Sequence, residues 1–289
     1  MKTNRTLIPL LSAFVALSTA ARAQQDFSKV EIKVIPVAKN IYMLEGSGGN
    51  IGVSVGSDGI LIVDDQFAPL AEKIDAALKQ LSPGKLKFVL NTHYHGDHTG
   101  GNAHFGRDAH IIAHTNVRKR LGRGAAASKP GLPIVTFDDS LSVHFNGEEI
   151  KVLHVPPGHT DSDSIIHFTG ANVVHMGDSF ASGRFPNIDL AGGGDVRGFI
   201  RNVGEALKKI PADAKIIPGH GPLSTVKELQ EFNQMLIETS GIVEEAIAAG
   251  KTLSQIKADG LPEKWKTWAG PMITASRWLD LLHNGLSRK

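Results

Sequence analysis

The sequence predicts an α/β fold that contains two β-sheets. Residues 33–90 give several short apolar or alternating runs, then an amphipathic helix, then a further apolar strand. Residues 134–210 repeat this order of strands followed by a helix. Because each sheet has to bury an apolar face, two such halves favour two sheets packed against each other.

The first half contains four short strands, a helix and a fifth strand. Turn residues separate the strands, and Gly46-Ser47-Gly48-Gly49-Asn50 indicates a flexible hairpin loop. Apolar side chains recur on one face of the helix, which Ser82-Pro83-Gly84 ends. The predicted strands are residues 33–37, 41–45, 51–55, 60–63 and 87–90, and the predicted helix is residues 68–81.

The second half begins after a predicted strand, a short helix and a Gly- and Pro-rich segment, residues 122–133. This segment favours a surface linker over a substrate lid. Asn146-Gly147 is a strong hairpin signal, and residues 180–194 are predicted to be irregular. The other predicted strands are residues 109–113, 134–137, 141–145, 149–155, 164–168 and 172–176, and the other predicted helices are residues 114–121, 196–210, 224–249 and 271–286.

Residues 1–23 have the pattern of a secretory signal peptide. Lys2 and Arg5 precede a short apolar core, and Ala21-Arg22-Ala23 is a small-x-small cleavage site. The apolar core is short and is interrupted by Pro9, which disfavours the alternative of an uncleaved anchor. We therefore expect a periplasmic or secreted protein, with residues 24–289 as a single domain.

The mature chain is expected to begin at Gln24. Intact-mass spectrometry of protein from the periplasmic fraction measures this directly. Soluble periplasmic protein that still carries Met1 would contradict the predicted cleavage after Ala23.

The composition of the mature chain excludes several classes of partner and site. Cleavage removes three of the 31 basic residues and none of the 29 acidic ones, which changes the formal net charge from +2 to −1. The net charge gives no argument for nucleic-acid binding, no membrane span is expected in the mature chain, and the predicted partner is a small-molecule substrate. The absence of cysteine excludes disulfides and a thiolate metal ligand.

A histidine-rich segment follows the predicted strand 87–90. Residues 91–98 read Asn-Thr-His-Tyr-His-Gly-Asp-His. His93 and His95 are two residues apart, so their rings lie on one side of an extended segment. Gly96 lets the chain turn and present Asp97 and His98 to a second point. Imidazole and carboxylate groups are ligands that suit Zn²⁺.

Three later segments each place one further ligand-type residue directly after an apolar run. His159 follows Pro156-Pro157-Gly158, Asp178 ends the run that begins at Val173, and His220 lies within Gly219-His220-Gly221. These residues supply the ligands that a metal site in the first segment lacks.

With these motifs, residues 30–223 resemble the metallo-β-lactamase superfamily of binuclear zinc hydrolases. The resemblance implies a four-layer αββα sandwich of two mixed sheets flanked by helices, with two Zn²⁺ per chain at one edge. It also implies a set of ligands: His93, His95 and His159 for one zinc, Asp97, His98 and His220 for the other, and Asp178 as the bridge between them.

Two zinc ions about 3.5–4 Å apart would lower the pKa of a bridging water to near neutrality. The resulting hydroxide is expected to attack a carbonyl carbon, so no serine or cysteine nucleophile is needed. Asp97 is the predicted catalytic residue, since it can orient the hydroxide and relay its proton.

The resemblance leaves the substrate open. The best-known zinc β-lactamases have cysteine or serine at the position of Asp178, whereas a bridging aspartate resembles glyoxalase II and lactonases. Export argues against cytosolic glutathione thioesters. We therefore expect a β-lactam or a related cyclic amide or ester, with a lactonase or thioesterase as the alternative.

Two functions of other classes are disfavoured. A persulfide dioxygenase of the same fold holds a single iron, and a periplasmic binding protein is not catalytic. Neither needs the second ligand group of Asp97, His98 and His220.

Several polar residues lie outside the ligand set. Arg184 comes six residues after Asp178, and its guanidinium is predicted to bind a substrate carboxylate, with a solvated loop charge as the alternative. Asp163, Asp189 and Asp195 are expected to cap turns or helices, with support of the metal ligands as the alternative. The other eight histidines are expected at the surface or in the core.

Overall fold

The computed structural model describes residues 26–123 and 129–288. The predicted signal peptide, residues 1–23, and residues 124–128 of the predicted linker lie outside the described residues. Among the helices that are described, none combines the length and the apolarity needed to span a membrane.

The first sheet contains seven strands in the order of the sequence. Its first four strands form an antiparallel meander, and the fourth to seventh strands are parallel. Parallel neighbouring strands need a crossover connection. Between the fourth and fifth strands, a helix provides this connection. The strands are β1 (Lys33–Ala38), β2 (Ile41–Glu45), β3 (Ile51–Gly56), β4 (Gly59–Val63), β5 (Leu86–Asn91), β6 (His110–His114) and β7 (Val135–Phe137).

The second sheet contains six strands in the order β13-β12-β11-β10-β9-β8. β11 and β12 are parallel, and the other neighbouring strands are antiparallel. Both sheets are therefore mixed. The strands are β8 (Ser140–Phe145), β9 (Glu148–His154), β10 (Ser164–Phe168), β11 (Val173–His175), β12 (Lys215–Ile217) and β13 (Ser224–Thr225).

Nine α-helices lie within the described residues. Long amphipathic helices cover the sheets, and short helices connect the strands or follow the long ones. The helices are α1 (Ala71–Leu81), α2 (Gly96–Thr99), α3 (Asn102–Phe105), α4 (Thr115–Leu121), α5 (Val196–Lys209), α6 (Val226–Ala248), α7 (Leu253–Asp259), α8 (Glu263–Lys266) and α9 (Ala275–Leu286).

Three clusters of buried apolar side chains separate four layers. Leu61 of the first sheet and Phe168 of the second belong to the cluster between the sheets. Ile74 of α1 packs in the cluster on the outer face of the first sheet. Phe232 of α6 and Trp278 of α9 pack on the outer face of the second sheet. This confirms the predicted sandwich of two sheets with helices outside.

The carboxyl-terminal quarter differs from the prediction in detail. The predicted helix 271–286 begins only at Ala275, and helices α7 and α8 were not predicted. Thr252 and Gln255 form a reciprocal capping box at the start of α7, which is a signal that the sequence carries. Both missed helices are short, so their apolar periodicity is weak. Their packing against neighbouring helices determines where they form.

Four of the strands end at the same edge of the sandwich. The loop after β5 is joined to the first residue of β10 by a hydrogen bond from Ser164 N to Thr92 O of 2.8 Å. Asn50 N, in the β2–β3 loop, donates to Gly219 O at 2.8 Å. These bonds tie loops of the two sheets together, and the loops after β5, β9, β11 and β12 carry the predicted ligands.

Candidate metal centre

Four side chains form one ligand group at this edge: those of His93, His95, His159 and Asp178. His95 Nδ1 lies 3.1 Å from His93 Nε2 and 2.9 Å from His159 Nε2. Asp178 Oδ2 lies 3.4 Å from His159 Nε2 and 4.0 Å from His93 Nε2. The ligand atoms of the group all lie within 4.8 Å of one another, as one metal ion requires.

A second ligand group adjoins the first and consists of Asp97, His98 and His220. His220 Nε2 lies 3.3 Å from Asp97 Oδ2, and His98 Nε2 lies 3.7 Å from the same oxygen. Asp178 Oδ1 lies 3.0 Å from His98 Nε2 and 3.3 Å from His220 Nε2. The two oxygens of Asp178 therefore face different groups, and the structure brings all seven predicted ligands together.

Two buried atoms of the cluster show that it fits a cation. His98 Nε2 and Asp178 Oδ1 are buried and lie 3.0 Å apart, but neither makes a hydrogen bond of acceptable geometry within the described residues. An unpaired buried polar atom destabilises a fold, and a bound cation would satisfy both atoms. Imidazole nitrogens and carboxylate oxygens are the donor types that Zn²⁺ prefers when no thiolate is present.

The electrostatics of the cluster also favour a divalent cation. Burial opposes ionisation of Asp178, but the charges of His220 and His98 outweigh it and hold the pKa of this carboxyl well below its usual range. Burial likewise opposes protonation of His220, yet Asp178 raises the pKa of His220 to about 9. Protons on His98 and His220, whose pKa values are both raised, thus compensate the carboxylates, and a metal ion can replace those protons.

Residues 34–220 match the family model of the Metallo-beta-lactamase superfamily, which is more than half of the chain. The chain belongs to this superfamily. It is accordingly a metal-dependent hydrolase, and the histidine–aspartate cluster is where it can hold metal.

Comparison with known proteins agrees with this membership of the metallo-beta-lactamase superfamily. The chain is 28% identical over 196 residues to hydroxyacylglutathione hydrolase of Gloeobacter violaceus, covering 64% of this chain and 73% of that protein. The metallo-beta-lactamase from Pontibacter korlensis superposes with a TM-score of 0.63 at 16% identity, covering 71% of this chain and 99% of that one. A mutant of a sec-alkyl sulfatase superposes with a TM-score of 0.69 at 17% identity, covering 89% of this chain and 50% of that one. The two structural matches support the fold.

In this candidate metal site, hydrogen bonds determine which ring nitrogen two of the histidines present to a metal. His98 Nδ1 donates to Asp64 Oδ2 at 2.7 Å, and His93 Nδ1 contacts Thr92 Oγ1 at 3.0 Å. Thr92 Oγ1 itself donates to Asp64 at 2.7 Å, so it accepts the bond from His93. Both rings therefore leave Nε2 free for a metal. Asp64 has a φ of 64°, and its bonds to Thr92 hold it in this unfavourable conformation.

The loop between β11 and α5 orients two further histidines. His159 Nδ1 lies 2.8 Å from Asn187 O, and His95 Nε2 lies 3.0 Å from Asp189 Oδ2. A carbonyl and a carboxylate oxygen only accept hydrogen bonds, so each ring donates there. His159 consequently presents Nε2 and His95 presents Nδ1 to the first group. The sequence does not predict this role of Asn187, because a backbone carbonyl leaves no signal in residue type.

Asp189 is held in place by a small polar network. The Tyr94 hydroxyl donates to the same carboxylate, and Gly192 N donates to it at 2.8 Å. The Arg120 guanidinium lies over the Tyr94 ring at 4.8 Å and pairs with Asp161 at 2.6 Å. Hydrogen bonds from Tyr94 and His95 outweigh burial and lower the pKa of Asp189 to about 2.

The three aspartates that were predicted to cap turns or helices have separate roles. Asp195 is the N-cap of α5 and accepts from Gly198 N, and Asp163 accepts from Thr160 N at 2.9 Å. Asp189 closes a turn onto Gly192, but it also binds His95. Asp189 therefore has both predicted roles, because it caps a turn and also supports a metal ligand.

Replacing Asp189 with alanine should weaken zinc binding by about ten- to a hundredfold, because His95 loses the acceptor that fixes its tautomer. Competition with a chromophoric chelator measures the zinc affinity. Asp189→Asn keeps an acceptor and should lose less affinity. Asp108→Ala removes an exposed carboxylate elsewhere and serves as the control. Equal zinc affinity in Asp189→Ala and in the unsubstituted protein would contradict this role.

A cavity of about 670 Å³ opens onto the cluster. Of the seven predicted ligands, those that line it are His95, Asp97, Asp178 and His220. Arg184 lines it as well and is exposed, as a residue that contacts substrate must be. The remaining lining residues are Phe67, Ala181, Gly183, Phe185, Pro186, Asn187, Trp268, Ala269, Gly270, Pro271, Met272 and Ile273.

Proposed function

We propose that this chain is an exported hydrolase that uses two zinc ions to cleave an acyl C–N or C–O bond of a small molecule. The observation that carries the proposal is the position of Asp178, whose two oxygens each lie within 3.4 Å of a ligand nitrogen in a different group. A carboxylate shared in this way suits two cations better than one. The signal-peptide pattern of residues 1–23 supports export to the periplasm.

The chain's own residues can perform the remaining steps of hydrolysis. Two zinc ions in these groups would supply a water nucleophile at neutral pH and polarise the substrate carbonyl. Asp97 lines the cavity, so its carboxylate can accept a proton from the attacking water and pass it to the leaving group. His93 and His98 are fully buried behind it, so water and substrate approach from the cavity side.

As substrate we propose a β-lactam or a related cyclic amide or ester that carries a carboxylate. Arg184 lines the cavity and has no hydrogen-bond or ion-pair partner among the described residues, so its guanidinium is available to such a group. The alternative is a lactonase or thioesterase. The similarity to hydroxyacylglutathione hydrolases favours that alternative, since those relatives act on a thioester of glutathione.

The proposal is tested by metal analysis together with a panel of β-lactams, lactones and thioesters. Two zinc ions per chain and zinc-dependent hydrolysis of at least one compound class would support it. A single iron with oxygen consumption would instead indicate the dioxygenase alternative. No hydrolysis by protein that carries two zinc ions would refute the proposed reaction.

A further inference from the structure

We infer that the substrate carries a bulky apolar group beside its scissile bond, and that glutathione thioesters are poor substrates. This inference rests on the proposed hydrolase function and names the substrate class of the same site. It differs from what the hydroxyacylglutathione hydrolase relatives suggest, and it follows from the residues that line the cavity.

One side of the cavity is formed by residues 268–273, which we call the C-terminal wall. Trp268 and Ile273 of this wall are almost fully buried, whereas Met272 is 69% exposed at the cavity. Phe67 and Phe185 line the same cavity. A ligand at the metal cluster therefore meets aromatic and aliphatic carbon on this side.

Contacts within the protein hold Trp268 of the C-terminal wall and the neighbouring Phe185 in place. Phe185 N, in the loop after Asp178, donates to Trp268 O at 3.0 Å. The Trp268 ring packs edge-on against Trp265 with a centroid distance of 5.4 Å. Phe185 stacks on Trp278 of α9 at 5.5 Å. Packed aromatic side chains of this kind bind an apolar group at a smaller entropic cost than side chains that binding has to order.

The charges that line the cavity do not match glutathione. A glutathione thioester carries two carboxylates and an ammonium group. Among the described residues that line the cavity, Arg184 is the one arginine or lysine, and the acids are Asp97 and Asp178 of the metal cluster. One carboxylate of a glutathione thioester would thus stay unpaired beside apolar carbon, which is unfavourable.

The inference is tested with zinc-loaded protein and three pairs of substrates that share a scissile bond. The pairs are benzylpenicillin with 6-aminopenicillanic acid, N-decanoyl- with N-butanoyl-homoserine lactone, and the S-benzyl thioester of lactic acid with S-lactoylglutathione. A buried methylene contributes about fourfold. We therefore expect kcat/KM to favour the apolar member of every hydrolysed pair by at least about tenfold.

A variant and a matched control separate the wall from general surface effects. Met272→Asp places a charge on the wall at an exposed position, so the fold should survive. It should lower the preference for the apolar member of each hydrolysed pair by about tenfold. Ile237→Asp changes another exposed apolar residue, 46% exposed on α6 and outside the cavity, and should change neither.

A binding measurement decides the inference independently of turnover. Isothermal titration of the zinc-loaded protein with 4-phenylbutanoate and with acetate compares two carboxylates that differ only in their apolar part. We expect 4-phenylbutanoate to bind at least about tenfold more tightly, with the difference reduced in Met272→Asp. Equal affinities, or a kcat/KM that favours S-lactoylglutathione, would overturn the inference. Loss of all hydrolysis with the binding preference intact would instead refute the proposed reaction alone.

Discussion

Replacing Asp178 with alanine is expected to lower kcat/KM by about a thousandfold or more and to reduce bound zinc from two ions to one or none. Asp178 is the residue that faces both ligand groups, with Oδ1 at 3.0 Å from His98 Nε2 and Oδ2 at 3.4 Å from His159 Nε2. Its removal takes a shared anionic ligand from both sites. A thousandfold loss corresponds to about 4 kcal/mol of transition-state stabilisation.

Three further variants make the Asp178 result specific. Asp178→Asn keeps the shape and one acceptor oxygen, so it should retain more zinc than the alanine variant. His95→Ala should also lose zinc and turnover, because it removes a ligand of the first group. Asp108→Ala, at an exposed carboxylate, should retain both zinc ions. Plasma emission measures the metal content of each variant, and circular dichroism measures whether it is folded. Full activity in Asp178→Ala would refute the assignment of Asp178 as a ligand.

Replacing Arg184 with alanine is expected to raise KM for carboxylate-bearing substrates by about ten- to a hundredfold, with metal content unchanged. Charge-assisted hydrogen bonds between a guanidinium and a carboxylate account for a change in KM of this size when the bound substrate excludes water from them. Arg184 lines the cavity with Asp178 and His220 but touches neither ligand group. The loss should therefore appear in KM and not in zinc binding.

Neutral substrates provide the control for Arg184. Simple lactones lack the carboxylate, so Arg184→Ala should change their KM much less. Arg184→Lys keeps the charge but not the paired geometry and should be intermediate. Arg277→Ala removes an exposed arginine of α9 outside the cavity and should change nothing. Equal losses for charged and neutral substrates would exclude Arg184 as the carboxylate anchor.

The strands were the most predictable part of the fold. Alternating or continuous apolar runs predicted β2, β4 and β10 to within one residue at each end, because each strand buries at least one face in a sheet. The short helices α7 and α8 were missed, and α9 starts four residues later than predicted. In this region, packing on α6 and α9 determines where the helices form. Apolar periodicity over only four to seven residues is too weak to predict them.

The sequence alone determined which residue types can hold a metal. Five histidines and two aspartates at strand ends offer nitrogen and oxygen donors, and the absence of cysteine excludes sulfur. These properties are local, because a side chain carries its donor atom whatever the fold. The spacing within residues 93–98 also fixes which of these donors can reach one point and which must turn away.

Only the tertiary structure decided how those donors meet and what surrounds them. Asp178 faces two groups because β11 and β12 pair in parallel and bring its loop beside that of His220. Asp189 reaches His95 across 94 residues of sequence, and Trp268 reaches the cavity from the last quarter of the chain. Such contacts depend on how strands and helices pack over long sequence separations, and no local pattern of residues records that packing.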